Sequence, residues 1–196
     1  VETVAVLFAR SDSVYKALPG ADVWDLERDA LQWPGGSSVV AHPPCGPWGN
    51  QRNCYRPSDA ERALAPWAVE QVRQWGGVLE HPASSALWPA LALPAPGTGR
   101  DEFGGWTFTI LQSSWGHRAD KPTRLYIVGC DPLDLPDMPL KLGRATNIVS
   151  PRGGFRKGMP GWRPSLNKPE REATPRALAE WLLELARRCR LPVLST

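Results

Sequence analysis

An α/β fold, with a mostly parallel sheet and helices on its faces, is the architecture this sequence predicts. Two observations carry that expectation. Short apolar runs such as residues 3–9 (TVAVLFA) and 125–130 (LYIVGC) have the length and β-branched content of buried strands. Between and after them lie segments with helical apolar spacing and helix start signals. Strands alternating with helices build parallel sheets, because each helix returns the chain to the starting edge.

Residues 3–9 read as the first strand, and residues 11–18 as a short helix closed by Pro19-Gly20. Residues 21–26 (ADVWDL) form a second strand and residues 37–41 a third, which runs into Pro43-Pro44-Cys45. Ser58 and Glu61 have capping-box spacing, in which each side chain satisfies a free backbone donor at a helix start. Leu64, Trp67, Ala68, Val72 and Trp75 then recur at helical spacing; Pro66 is expected to kink or restart that helix, and Gly76-Gly77 to end it. Residues 77–80 make a fourth strand, 106–111 a fifth and 125–130 another. Residues 131–173 are rich in Pro and Gly and read as irregular. Thr174-Pro175 is expected to cap a final amphipathic helix with Leu178, Trp181, Leu182, Leu185 and Cys189 on one face. The predicted organisation is an α/β core over 1–130, an arm over 131–173, and a C-terminal helix over 174–196 that packs on the core.

The 196 residues suffice for one domain with a real core. Ten Trp and 21 Pro point to many loops and to aromatic surfaces for packing or base stacking. The four Cys (45, 54, 130, 189) are dispersed with no CxxC pair, which fits a reducing compartment rather than a disulfide framework. No leader and no 18-residue apolar run is visible, so a cytoplasmic protein without membrane contact is expected. Net charge is only +3, yet residues 141–168 hold seven basic residues and no acidic one. That stretch is either a solvated polar loop or a phosphate-contacting surface, the latter resting on Arg152, Arg156 and Lys157 above all.

Three segments carry candidate chemistry. His42-Pro43-Pro44-Cys45-Gly46-Pro47-Trp48-Gly49 presents a thiol just past a buried strand, on a turn whose φ angles the prolines restrict. Ligands of open α/β sheets bind outside the carboxyl ends of the strands, so Cys45 is a candidate nucleophile. Val78-Leu79-Glu80-His81-Pro82 places an acid at the end of a strand expected beside it. Residues 115–129 run basic side chains, Arg118, Lys121 and Arg124, into a strand. Taken singly, a Cys in such a turn is more often a small buried hydrophobe, and a Glu before His-Pro a cap or ion-pair partner. A metal site from His42, Cys45, Cys54 and His81 matches no standard zinc spacing, and no metal is expected.

In order and spacing the three segments resemble the cytosine carbon-5 DNA methyltransferases. Pro43-Pro44-Cys45 matches that family's Pro-Pro-Cys motif, and Glu80 the Glu of its Glu-Asn-Val motif, with His81-Pro82 in place of Asn-Val. Arg124 matches the last Arg of Gln-x-Arg-x-Arg, and residues 125–129 match the strand that follows; Pro122 stands where the family has its other Arg, with Lys121 or Arg118 as a substitute. Asp25, Glu27 and Ala30 echo the acidic motif that holds the cofactor ribose. The resemblance spans about residues 1–130 and the final helix, and extends to small phage-type proteins with this core. It implies a reduced, Rossmann-like, methyltransferase-type sheet with an irregular basic arm. It also implies S-adenosylmethionine as cofactor at Phe8, Asp25, Glu27 and Pro43, and DNA or a pyrimidine nucleotide as partner, contacted by Trp48, Arg118, Lys121 and the arm.

The family's chemistry, carried over, makes Cys45 the thiolate that adds to carbon 6 of a pyrimidine and renders carbon 5 electron-rich. Glu80 binds the base edge, and its carboxylate prefers the cytosine amino group to the oxygen of uracil or thymine. Cys45, Glu80 and Arg124 are expected to converge. The target base must leave the stack or be supplied unpaired. Three features depart from the family: Leu7-Phe8-Ala9-Arg10 replaces its glycine-rich loop, one strand-helix unit is missing between Asp25 and Pro43, and no large target-recognition domain is present. Two alternatives therefore stand beside methyl transfer: pyrimidine modification with another donor, and a non-catalytic DNA-binding phage protein that kept the fold.

Overall fold

The computed structural model describes residues 2–49, 56–149 and 157–191. Six strands, β1 (Val4–Leu7), β2 (Ala21–Trp24), β3 (Val39–Ala41), β4 (Gly77–Pro82), β5 (Trp106–Leu111) and β6 (Pro122–Val128), form one sheet in the order β2-β1-β3-β4-β6-β5. Neighbours from β2 through β4 pair in parallel, and β6 runs antiparallel between β4 and β5. The helices are α1 (Asp59–Trp75), α2 (Leu87–Ala90), α3 (Lys168–Glu172) and α4 (Arg176–Arg188). This is a mixed α/β fold with a mostly parallel sheet, compatible with a Rossmann-like arrangement. From β1 the chain steps to β2 on one side, then crosses to β3 on the other. The sheet's switch point thus lies between the carboxyl ends of β1 and β3, where such sheets place ligands.

Strand alternation sorts the core into two layers. Val4, Val6, Val40, Val78, Leu125 and Ile127 point to one face, where α4 buries Leu178, Leu182 and Leu185. Ala5, Leu7, Val39, Ala41, Leu79 and Tyr126 point to the other, where α1 buries Ala65, Ala68, Val69 and Val72. Each fully buried Val or Leu stabilises the fold by about 2 kcal/mol. Small residues on α1 let the helix sit close to the sheet. At Gly77 a β-carbon would lie 2.0 Å from the Val39 carbonyl oxygen, with φ at +126°, so only glycine allows β4 to start beside β3.

The capping box forms as expected: Glu61 N–H donates to Ser58 Oγ at 3.2 Å, and Ser58 N–H to Glu61 Oε2 at 3.0 Å. Pro66, however, does not interrupt α1, which runs unbroken from Asp59 to Trp75. The buried face of α1 outweighs the one helical hydrogen bond a proline forfeits. Residues 11–18 form not a helix but a single 3₁₀ turn over Val14–Ala17. β2 ends at Trp24, because Leu26 is 94% exposed and has nothing to pack on. Pro175, with no side-chain cap bond, occupies the position before α4, so Thr174 does not cap it.

The described part of the arm lies along the core. Ala119 bridges Asn147, and Ile148 bridges Ser165. Lys141 Nζ donates to the Ser113 carbonyl at 2.8 Å, and Arg163 donates to Asp120 at 2.9 Å and to the Ala145 carbonyl at 2.7 Å. Two of the arm's cations therefore serve as struts. Ion pairs Arg10–Glu172 and Arg118–Glu170 fasten α3 to the loops after β1 and before β6. Among the described residues no helix is long and apolar enough to cross a membrane.

Candidate active site

At the end of β3 the chain makes the Pro43-Pro44-Cys45 turn. Pro43 is buried, Pro44 and Cys45 are exposed, and Cys45 starts a 3₁₀ turn over Gly46–Trp48. The Cys45 carbonyl accepts from Trp48 N–H at 3.1 Å and from Gly49 N–H at 2.7 Å, so the turn is held by backbone bonds and the side chain makes no capping bond. The surrounding protein raises the thiol pKa above its ordinary value. The Glu80 carboxylate raises it further, and the Lys121 ammonium opposes both. Cys45, Glu80 and Lys121 therefore share one electrostatic neighbourhood.

Glu80 is the centre of a hydrogen-bonded chain. Its side chain is 12% exposed and lies on the α4 face of β4. Burial would push its carboxyl pKa up; the His42 hydrogen bond and the charges of Lys121, His42 and His81 outweigh that and hold it at about 2. An ionised carboxylate only accepts, so His42 Nδ1–H donates to Glu80 Oε2 at 3.1 Å. His42 Nε2 lies 3.0 Å from the Tyr15 hydroxyl, which burial keeps protonated, and the two share a hydrogen bond. Gln112 Nε2 donates to Glu80 Oε1 at 3.0 Å and to Thr123 Oγ1 at 2.9 Å. Both Glu80 oxygens thus have donors, supplied by the ends of β3 and β5.

Strand parity explains the grouping. His42 continues the outward alternation of Val40, and Glu80 and Thr123 follow the same face through the β4–β6 register. Tyr15, Gln112 and Thr123 carry no motif, and sequence reading did not single them out. Tyr15 lies in the 3₁₀ turn between β1 and β2, Gln112 just after β5, and Thr123 is the second residue of β6. His42 entered only as an unsupported metal ligand. Among the described residues no group of three or more His, Cys, Asp or Glu is placed to hold a metal, and Cys54 lies outside them.

Arg124 requires a correction. Its register partner is His81, not Glu80, so it projects from the opposite, α1 face. There its guanidinium lies 5.0 Å from the Trp88 ring centroid, and the expected three-way convergence reduces to Cys45 with Glu80. His81 is fully buried on that face, and burial lowers its pKa to about 4 against the opposing pull of the Glu80 charge and the Pro44 carbonyl. Trp48 acts as a strut: its carbonyl accepts from Ala86 N–H at 2.9 Å and Ser85 Oγ at 3.2 Å.

The expected cofactor residues do not assemble into a cradle. Asp25 is buried; Lys16 Nζ lies 2.6 Å from its Oδ2, and its Oδ1 accepts from Glu27 and Arg28 N–H at 3.0 and 3.2 Å. Asp25, 3% exposed, thus turns its carboxylate toward Lys16 and the chain's own backbone rather than toward an open ribose site. Glu27 is exposed. Phe8 adopts φ of +61° and stacks edge-on to Trp67 at 5.7 Å, and the residues after it, Ala9 to Ser13, include no glycine to bring bare backbone up to a cofactor. Of the expected DNA contacts, Arg118 is exposed but paired with Glu170, Lys157 is exposed, and Arg152 and Arg156 lie outside the described residues. Comparison with protein-family models, with curated proteins and with solved structures returned no match.

Proposed function

We propose that this protein acts on a pyrimidine of DNA, most specifically cytosine, by adding the Cys45 thiolate to ring carbon 6, with Glu80 holding the amino edge of the base. The observation that carries this reading is the placement of Cys45, just past the end of β3, next to the end of β4 where Glu80 is held by His42 and Gln112. Cys45 rests as a thiol because the protein packed around its sulfur and the Glu80 charge disfavour thiolate, although the residue reaches the surface. A base amine donating to Glu80 disperses that charge, and Lys121 then pulls the thiol pKa down. Activation is thereby tied to occupancy by the right base.

Addition forms the S–C6 bond and breaks the C5=C6 double bond, with a proton taken up at ring nitrogen 3. The resulting enamine carbon is nucleophilic at carbon 5. Methyl transfer from S-adenosylmethionine is one fate of that carbon, but a glycine-free loop after β1 and an Asp25 turned to Lys16 and backbone do not fit that cofactor. A fate needing no donor is exchange: carbon 5 takes a solvent proton, loses its own, and β-elimination returns cytosine and thiolate. The test is incorporation of deuterium at cytosine carbon 5 in a single-stranded oligonucleotide in heavy water. Exchange is expected with the oligonucleotide alone; its absence, with the protein folded, overturns the reading.

The arm supplies phosphate contacts in the same proposal. Arg144 and Lys157 are exposed, whereas Lys141 and Arg163 are committed to the core. Replacing Arg144 and Lys157 by Gln is expected to lower the slope of log affinity against log salt by about 1–2, as loss of two phosphate contacts does. Anisotropy titrations over a salt series check this, and an unchanged slope removes both residues from the interface.

A further inference from the structure

The Tyr15–His42–Glu80–Gln112–Thr123 cluster can be accounted for atom by atom. The Tyr15 hydroxyl, both His42 nitrogens, both Glu80 oxygens, Gln112 Nε2 and Thr123 Oγ1 all have partners. One polar atom does not: Gln112 Oε1, buried and without a hydrogen bond, on a residue 1% exposed. A buried unsatisfied acceptor costs free energy and asks for a reason. The amide cannot turn over to relieve it, because Oε1 would then face the Glu80 carboxylate, acceptor against acceptor. What the cluster lacks is one donor beside Glu80.

We infer that Gln112 is a specificity-determining residue whose Oε1 accepts one hydrogen of the exocyclic amine of a 4-aminopyrimidine while Glu80 accepts the other. This rests on the function proposed above and extends it from one acceptor to two. An amino group carries two N–H donors and meets both oxygens. The 4-oxo group of uracil or thymine brings a third acceptor to a place that already holds two. Gln112 touches the base edge and not the reacting carbon, so its effect falls on base choice.

The experiment compares carbon-5 exchange on two single-stranded oligonucleotides that differ only in one base, cytosine or uracil. The wild-type protein is expected to favour cytosine by at least about 100-fold, since a site built to bond a polar group rejects the analogue lacking it. Gln112→Met is expected to cut that preference by about tenfold or more, the worth of one hydrogen bond in a buried site. A Gln112→Met ratio equal to wild type overturns the inference, and is what a bound water on Oε1 would give. A second measurement needs no variant: the Gln112 side-chain amide resonances of the wild-type protein, titrated with the same two oligonucleotides. Cytosine-specific shifts support the inference, and equal shifts overturn it. If the wild type exchanges neither base, the Cys45 reading fails, and these resonances still decide whether Gln112 senses the amine.

Discussion

Cys45→Ser is expected to reduce carbon-5 hydrogen exchange by about 10³-fold or more while leaving oligonucleotide affinity within about twofold of wild type. The size follows from the chemistry. A serine hydroxyl has nearly the volume of the thiol, but it ionises far less readily and is a far poorer nucleophile toward an electron-poor ring carbon. The selectivity follows from the structure. Cys45 is exposed, and its side chain makes no capping bond, so the Pro43-Pro44-Cys45 turn keeps its shape through the backbone bonds from Trp48 and Gly49 to the Cys45 carbonyl. Deuterium incorporation followed by mass spectrometry reads the first effect, and anisotropy reads the second. Exchange at the wild-type rate in Cys45→Ser would remove Cys45 as the nucleophile. Joint loss of exchange and affinity would make it a binding residue instead.

What the sequence made legible divides along physical lines. Local signals succeeded: the apolar runs of β1, β3 and β6, the Ser58–Glu61 capping box and the buried face of α4 each depend on residues a few positions apart. Pro66 misled because propensity is a local cost, and burial of Ala65, Ala68, Val69 and Val72 is a larger tertiary gain. The antiparallel insertion of β6 between β4 and β5 could not be read, because register is a property of pairs of strands.

The same limit explains the site. Cys45 and Glu80 were visible through motif and position. Arg124 was placed by motif spacing alone, yet side chains alternate with period two, and a single step of register decides the face. Tyr15, Gln112 and Thr123 stand far apart in the chain and carry no distinctive composition. Only the fold brings them to the Glu80 carboxylate.

The Glu80 carboxylate should also appear in the pH dependence of stability. Its folded-state pKa of about 2 lies below the ordinary 4.5, so the native state releases this proton more readily than the unfolded chain does. The stabilisation is therefore present above pH 4.5 and disappears as pH falls through 2, and by linkage it amounts to about 3 kcal/mol. Glu80→Gln removes the charge and sets an amide N–H₂ against donors from His42 or Gln112, so it is expected to cost about 2–3 kcal/mol at pH 7. That cost should shrink as pH falls from 4.5 toward 2. His81 adds a separate limb: burial holds its pKa at about 4, below the ordinary 6.5, so the unfolded chain takes up a proton between those values while the native state does not. Stability then falls from pH 6.5 to 4 in both proteins, and more steeply in the variant, because the Glu80 charge favours His81 protonation. Urea unfolding at pH 7, 5 and 3 separates the two limbs. Convergence of the curves toward pH 3 identifies Glu80 as the buried, hydrogen-bonded anion of the site. Parallel curves would mean that its carboxylate is no better held in the folded protein than in water, and the base-edge role would lose its foundation.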